Sequence, residues 1–299
     1  MKTLSSLLVF LLAAAAAAQS ALPHPDHIVI VIEENKGYTN IIGSPNAPFI
    51  NSLAKAGANL TNYHGLHHPS QPNYLELFSG SKQGVCDDTC PPPGSPYGTP
   101  NLAASLAAKQ LSFAGYAEDL PSNLATCNSD QYARKHCPWL DFNGIPPSVS
   151  IDASKFPQNA AGFAALPTVS FVIPDLIDDM HSTPKGGHNI PLEVRNGDAW
   201  LKKHIGAYAN WAMKNNSLLV VTWDEDSASY SNPCPNGIDT PSQQYPNRIA
   251  TVIVGKPVKP GKSNTQYTHY NLLRTLEDIY GLTPIGGSDG VQPITGIWK

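Results

Sequence analysis

Charge is scarce in this chain of 299 residues: Asp, Glu, Lys and Arg make up only 14% of it, and the formal net charge is -4. No basic cluster exists to track a phosphodiester backbone, which argues against a nucleic-acid scaffold. Long apolar runs are lacking too. Beyond the first twenty residues no segment approaches the roughly 20 apolar residues that span a bilayer. The opening stretch, MKTLSSLLVFLLAAAAAAQS, is basic at Lys2, then apolar, then rich in small residues. It reads as a secretory signal peptide over residues 1–20, cleaved after Ala18 or Ser20. Residues 21–299 are then expected to be one secreted domain without a stable membrane anchor.

Cysteine is sparse but informative. All five lie beyond the leader: Cys86, Cys90, Cys127, Cys137 and Cys234. An oxidising compartment makes disulfides the default, and local pairs Cys86–Cys90 and Cys127–Cys137 are expected, with Cys234 left over. CDDTC has no second ligand pair, so it does not read as a zinc site. Sequons at Asn59 and Asn215 fit a glycosylated secreted chain.

What the chain does have is alternation. HIVIVI (residues 27–32), SFAGYAE (112–118), TVSFVIPD (ending at Asp175), SLLVVTW (217–223) and RIATVIVG (closed by Gly255) read as strands, the first as one buried on both faces. Helices are predicted at APFINSLAKAGAN, over residues 72–79, at LAASLAAKQL, from Gly197 through GDAWLKKHIGAYANWAMKN, and from Tyr267 through YTHYNLLRTLEDIYG. This order predicts an α/β fold, a mostly parallel central sheet with helices on both faces. Residues 82–100 and 119–160 read as long excursions stapled by disulfides, of the kind that form functional rims.

Acids follow three of the predicted strands: Glu33-Glu34-Asn35, Asp175 with Asp178-Asp179-Met180-His181, and Asp224-Glu225-Asp226. In open α/β sheets ligands bind beyond the carboxyl ends of the strands. Clustered carboxylates repel, so a cation is the usual neutraliser, and oxygen-rich ligation suits a hard or borderline divalent metal. Strand-end acids also cap helices, but three such ends together favour a site. Ser70, in HHPSQPNYLELFSG, precedes a proline fit for a first helical turn. Taken alone, this segment suits a helix cap at least as well as a nucleophile. GGSDG (286–290) matches a hydrolase elbow only in letters, because no histidine follows it.

The segments IVIVIEEN, HHPSQPNYLELFSG, YARKHCPW, FVIPDLIDDMHS, GDAWL, VVTWDED and THYNLLRTLEDIYGL occur in this order. Together they resemble the phosphoesterase family of secreted acid phosphatases and bacterial-type phospholipases C, within the alkaline-phosphatase-like superfamily. The likeness runs from about His27 to Leu282. It implies that Glu34 and Asn35 form a first metal-binding pair, with Asp224 and Glu225 as a later one. Ser70 is implied as a nucleophile that also ligates metal. Asp179 and His181, from the D-M-H motif, and His269 are implied on the phosphate side of the site. His68, Asn73 and His136 are implied near substrate. P-D-L stands where P-N-L is usual, at Asp175, and H-Y-N where H-Y-S is usual, at Asn271. Asp175 is followed four residues later by Asp179 rather than by a histidine, so one divalent metal is expected rather than two. The expected activity is a secreted, metal-dependent phosphomonoesterase acting through phosphoserine on a small phosphate ester. The alternatives are a phosphodiesterase or phospholipase C on the same core, and a non-catalytic binding glycoprotein.

Overall fold

The structure is a computed structural model and describes residues 22–228 and 247–299. The predicted leader and Cys234 lie outside the described residues. An eight-stranded sheet carries the molecule. Its strands are β1 (His27–Glu33), β2 (Ala58–Leu60), β3 (Phe113–Ala117), β4 (Ser150–Asp152), β5 (Val169–Ile173), β6 (Ser217–Trp223), β7 (Thr251–Val254) and β8 (Gly261–Ser263). Their order across the sheet is β8-β2-β7-β6-β1-β5-β3-β4. β1 runs parallel to both β5 and β6, and β3 parallel to β5 and β4, while β7 is antiparallel to its neighbours.

β1 lies inside the sheet because it can afford no wet face: Ile28 through Ile32 are each at most 1% exposed. Burying each such side chain contributes roughly 1.5–3 kcal/mol. The acids that follow are therefore fixed to a rigid element. The helices form two groups. α1 (Pro48–Ala56) packs with α4 (Ile190–His204), which in turn packs with α5 (Gly206–Ala212); α2 (Ser70–Ser79) packs with α6 (His269–Tyr280). α3 (Leu102–Ala108) lies against β3 and α2.

Three boundaries differ from expectation. The helix foreseen from Gly197 begins at Ile190, where Asn189 accepts the Leu192 N–H at 3.1 Å and Pro191 occupies the first turn. It pauses at Ile205 before α5 starts at Gly206, a residue that weakens helix continuity. RIATVIVG is split: Arg248–Ile249 pairs with Tyr63–His64 in a small sheet, and Thr251–Val254 alone joins the main one.

The excursions are stapled, but not as expected. Cys90 pairs with Cys127, joining one excursion to the other, and Cys86 is also a disulfide cysteine. Cys137 is free and buried in a turn of 3-10 helices, where burial pushes its thiol up to about 12. Both expected local pairs are thus absent. The Asn59 sequon is also not presented for modification: its side chain is buried and donates to the Tyr38 hydroxyl at 3.0 Å. Asn215 is half-buried, with its amide donating to the Trp211 carbonyl at 2.8 Å. Residues 286–288 form a 3-10 turn, and the Ser288 hydroxyl donates to Glu277 at 2.6 Å, so GGSDG is a structural lock rather than an elbow. Among the described residues no helix is long and apolar enough to cross a membrane.

Candidate active site

The site forms where β1, β6 and the N-terminus of α2 converge. Pro69 precedes the helix in extended backbone and Ser70 is its first residue. The Ser70 side chain makes no capping bond; its hydroxyl instead donates to Glu34 Oε2 at 3.0 Å. One helical turn on, Tyr74 donates to Glu34 Oε1 at 2.8 Å. Residues four apart share a helix face, so α2 grips both oxygens of one carboxylate. His136 Nε2 lies 3.0 Å from the same Oε1, and its ring stacks on Tyr74 at 4.9 Å between centroids.

Asn35 follows with φ 53, in the left-handed region. Its side chain donates to Glu34 Oε2 at 3.0 Å and its backbone N–H to Asp224 Oδ1 at 3.2 Å. Burial alone would raise the Glu34 pKa, but His136, Lys135 and His181 outweigh it and hold the carboxyl below its usual range. Burial, followed by the Glu34 charge, pushes Asp224 and Asp179 well above theirs. Asp224 Oδ2 and Asp179 Oδ2 are buried without a hydrogen-bond partner. Asp179 Oδ2 stands 3.6 Å from His136 Nδ1, beyond bonding range. Glu33, also buried with both oxygens unpartnered, is driven by burial toward the neutral acid.

A cavity of about 610 Å³ opens over this edge, lined by Asn35, Lys36, His68, His181, Glu193 and Glu225 among others. His181 lines the cavity and turns Nδ1 to Ser182 Oγ at 2.7 Å. Its backbone N–H donates to Asp179 Oδ1 at 2.8 Å, so Asp179 positions that turn. His68 lies between two acids, 3.0 Å from Glu225 Oε2 and 3.4 Å from Asp226 Oδ1. Asn73 braces the loop before the helix: its oxygen accepts the Leu66 and His67 N–H groups at 2.9 Å, and its nitrogen reaches Glu225 at 3.4 Å.

His269 is brought to the site from behind. Nε2 meets the Asp224 carbonyl at 2.7 Å and Nδ1 the Tyr63 hydroxyl at 3.3 Å. Burial lowers its pKa to about 4. With both nitrogens engaged, the ring steadies the Asp224 turn and leaves the cavity wall to His181.

Sequence reasoning missed several residues. Tyr74 was findable at the helical period from Ser70. Lys36 had no signal. Its buried ammonium donates to the Met180 carbonyl at 2.6 Å and lies 3.0 Å from Glu193, tying β1 to α4 and to a Met180 backbone at φ 76. Asp88 and Lys135, paired at 2.6 Å, approach from the stapled excursions.

The metal expectation can be tested on the donors. Glu34, Asn35 and Asp224 converge, one Asp224 oxygen is orphaned, and the carboxylates disfavour one another's charge. That donor set fits a divalent cation. Ser70 adjoins it, whereas Glu225 is turned toward His68. Among the described residues the tightest acidic group is elsewhere: Glu118, Asp175 and Asp178 present oxygens within 4.8 Å of one another.

The chain was compared with known proteins. Residues 44–283 match the sequence model of the Phosphoesterase family. A phosphatidylinositol-3-phosphatase of Mycobacterium tuberculosis is 46% identical over 94% of this chain and 85% of its own. A phosphate-repressible acid phosphatase of Penicillium chrysogenum is 30% identical over 80% of this chain, which spans 56% of that protein. A non-specific phospholipase C6 of Arabidopsis thaliana is 22% identical over 72% of this chain and 43% of its own. Among solved structures, an alkaline phosphatase superfamily protein of Vibrio parahaemolyticus aligns with a TM-score of 0.62 over 92% of this chain and 72% of its own, at 14% identity.

Proposed function

This chain belongs to the Phosphoesterase family of phosphoric ester hydrolases, and on that premise we propose that it is a metal-dependent phosphomonoesterase working through a phosphoserine at Ser70. The observation that carries the reading is the Ser70 hydroxyl. It starts a helix and donates to the buried Glu34 carboxylate, which Tyr74 and Asn35 also grip.

In this mechanism Ser70 Oγ attacks phosphorus in line and the bond to the ester oxygen breaks. A phosphoserine forms and an alcohol leaves; water then cleaves the phosphoserine. Glu34 and Tyr74 fix the direction of Oγ. A divalent cation held by Glu34, Asn35 and Asp224, with Ser70 adjoining, would supply the positive charge that eases loss of the serine proton and steadies a phosphoryl oxygen. His181 lines the cavity and is assigned the proton for the leaving oxygen; such a positioned acid is worth ~10²–10⁴-fold. N–H groups in the first turn of α2 favour the anion. His269 acts through Asp224 in this scheme, His68 lines the cavity, Asn73 braces the loop before α2, and His136 backs Glu34.

The names phosphatidylinositol-3-phosphatase and acid phosphatase among the relatives support a phosphatase on a phosphate monoester, free or lipid-borne. The plant phospholipase C supports a diester reading on the same core. The apolar leader supports secretion, checked by N-terminal sequencing of protein collected from culture medium. The activity test gives the protein p-nitrophenyl phosphate, its bis ester and a phospholipid, each with and without chelator. Monoester preference abolished by chelator is expected. Diester preference would favour the phospholipase reading, and turnover unaffected by chelator would sink metal dependence.

A further inference from the structure

Lys135 enters the site above only as a charge felt by Glu34, and Asp88 not at all, yet the pair touches the helix that Ser70 begins. Asp88 Oδ1 accepts the backbone N–H of Gln71 at 3.0 Å, the amide immediately after Ser70. Asp88 Oδ2 lies 2.6 Å from Lys135 Nζ. The loop that carries Asp88 is pinned. With its amide nitrogen turned toward the loop, Gln71 donates to the Thr89 carbonyl at 2.9 Å and the Asp87 carbonyl at 3.2 Å. The carboxylate itself is less confined, with a third of its side chain exposed against 16% for Lys135. Lys135 also acts on the site itself: its charge bears on Glu34 and Asp224, on Glu225 and on His181.

Resting on the assignment of Ser70 as nucleophile, we propose that Asp88 holds the place of a substrate phosphoryl oxygen. On binding, that oxygen takes over the Gln71 N–H and the Lys135 ammonium, and the Asp88 carboxylate swings to solvent. Charge and valence both favour this exchange. One N–H and one ammonium, both next to Ser70, are partnered by an anion that need not stay. A phosphoryl group brings more charge and more acceptor oxygens than a carboxylate, and charge-assisted bonds are the stronger kind. Both anions cannot share the seat, because at such separations like charges repel. Lys135 is thereby a substrate-binding residue and Asp88 a competitor that sets how tightly phosphate is held.

The two roles give opposite signs, which a merely structural ion pair would not. Orthophosphate binding to the full, metal-replete chain is measured by calorimetry, with its inhibition constant against p-nitrophenyl phosphate alongside. Asp88→Asn keeps an acceptor for Gln71 and is expected to tighten orthophosphate by about fivefold, the scale of one unit charge removed at close range. Lys135→Met is expected to weaken it by about tenfold, and Lys135→Arg to restore most of that loss. Orthophosphate weakened or unchanged in Asp88→Asn, or held normally by Lys135→Met, overturns the proposal. Ser70→Ala separates the two layers. If wild type turns over ester and Ser70→Ala does not, the nucleophile reading stands and the pair is judged on phosphate affinity alone. If Ser70→Ala is active, that reading falls, while calorimetry still decides whether the pair binds phosphate. Wild type that binds no orthophosphate overturns the phosphoryl seat assigned to Asp88 and Lys135, whatever Ser70→Ala shows.

Discussion

Two acidic clusters lie along the same carboxyl edge of the sheet, and they behave differently. Glu118, Asp175 and Asp178 stand closest together, yet their oxygens are largely answered from within. Glu118 accepts from Trp200 at 2.9 Å and from the Asp175 N–H at 3.1 Å, while Asp175 accepts the Ile177 and Asp178 N–H groups at 2.8 and 2.9 Å. Glu34, Asp224 and Asp179 are more deeply buried, and two of their oxygens have no partner. Proximity of carboxylates therefore says little by itself. A buried oxygen left unanswered costs free energy that a structural role does not offset, and it is the second cluster that has the Ser70 hydroxyl beside it.

The largest effect expected from breaking this contrast is on Ser70. Ser70→Ala should lower kcat against p-nitrophenyl phosphate by about 10⁴-fold or more, as removal of a nucleophile does elsewhere, with the melting temperature little changed; steady-state assay and calorimetry check both. Next comes metal content. Asp224→Asn should weaken divalent-ion binding by about 100-fold or more, while Asp175→Asn and Asp178→Asn leave its stoichiometry as in wild type. Metal analysis after dialysis reads this directly, and equal losses in all three would erase the distinction between the clusters.

A smaller effect falls on the rim. Cys90→Ser with Cys127→Ser should cost about 2–4 kcal/mol in reversible denaturation, and should raise KM more than it lowers kcat, since the staple anchors the turn of Lys135 and His136. The Arg134 N–H bonds the Cys127 carbonyl at 2.9 Å.

The smallest concerns pH. Burial, then Asp175 and Glu118, push the Asp178 carboxyl up to about 7. A folded-state value above the unfolded one means that its neutral form suits the fold. Stability from this group is then fully present below about pH 4 and is lost as pH rises toward 7. Asp178→Asn should flatten that slope in urea midpoints taken across this range; an unchanged slope would assign it to other groups.

The edge of the sheet was readable from the chain because β1 and β6 are apolar on both faces and then turn acidic at once. Glu34, Asn35 and Asp224 belong to that pattern, whereas Ser70 read alone suits a helix cap at least as well, and its role was implied only by the family resemblance. The remainder has no period to read. His136, Lys135 and Asp88 arrive on 3-10 turns and loops whose course depends on the Cys90–Cys127 bond, and cysteine spacing alone favoured other pairs. Lys36 is buried against Glu193 and a backbone carbonyl, a partnership between residues far apart in the chain. His269 meets Asp224 through the backbone carbonyl, a contact that no side-chain motif encodes.

The central claim is the covalent intermediate. Protein quenched in acid during steady turnover of p-nitrophenyl phosphate can be digested and its peptides analysed by mass spectrometry. A phosphoryl group is expected on the peptide containing Ser70, absent before substrate is added and absent in Ser70→Ala. Turnover that leaves Ser70 unlabelled while another side chain carries the phosphoryl group would contradict it.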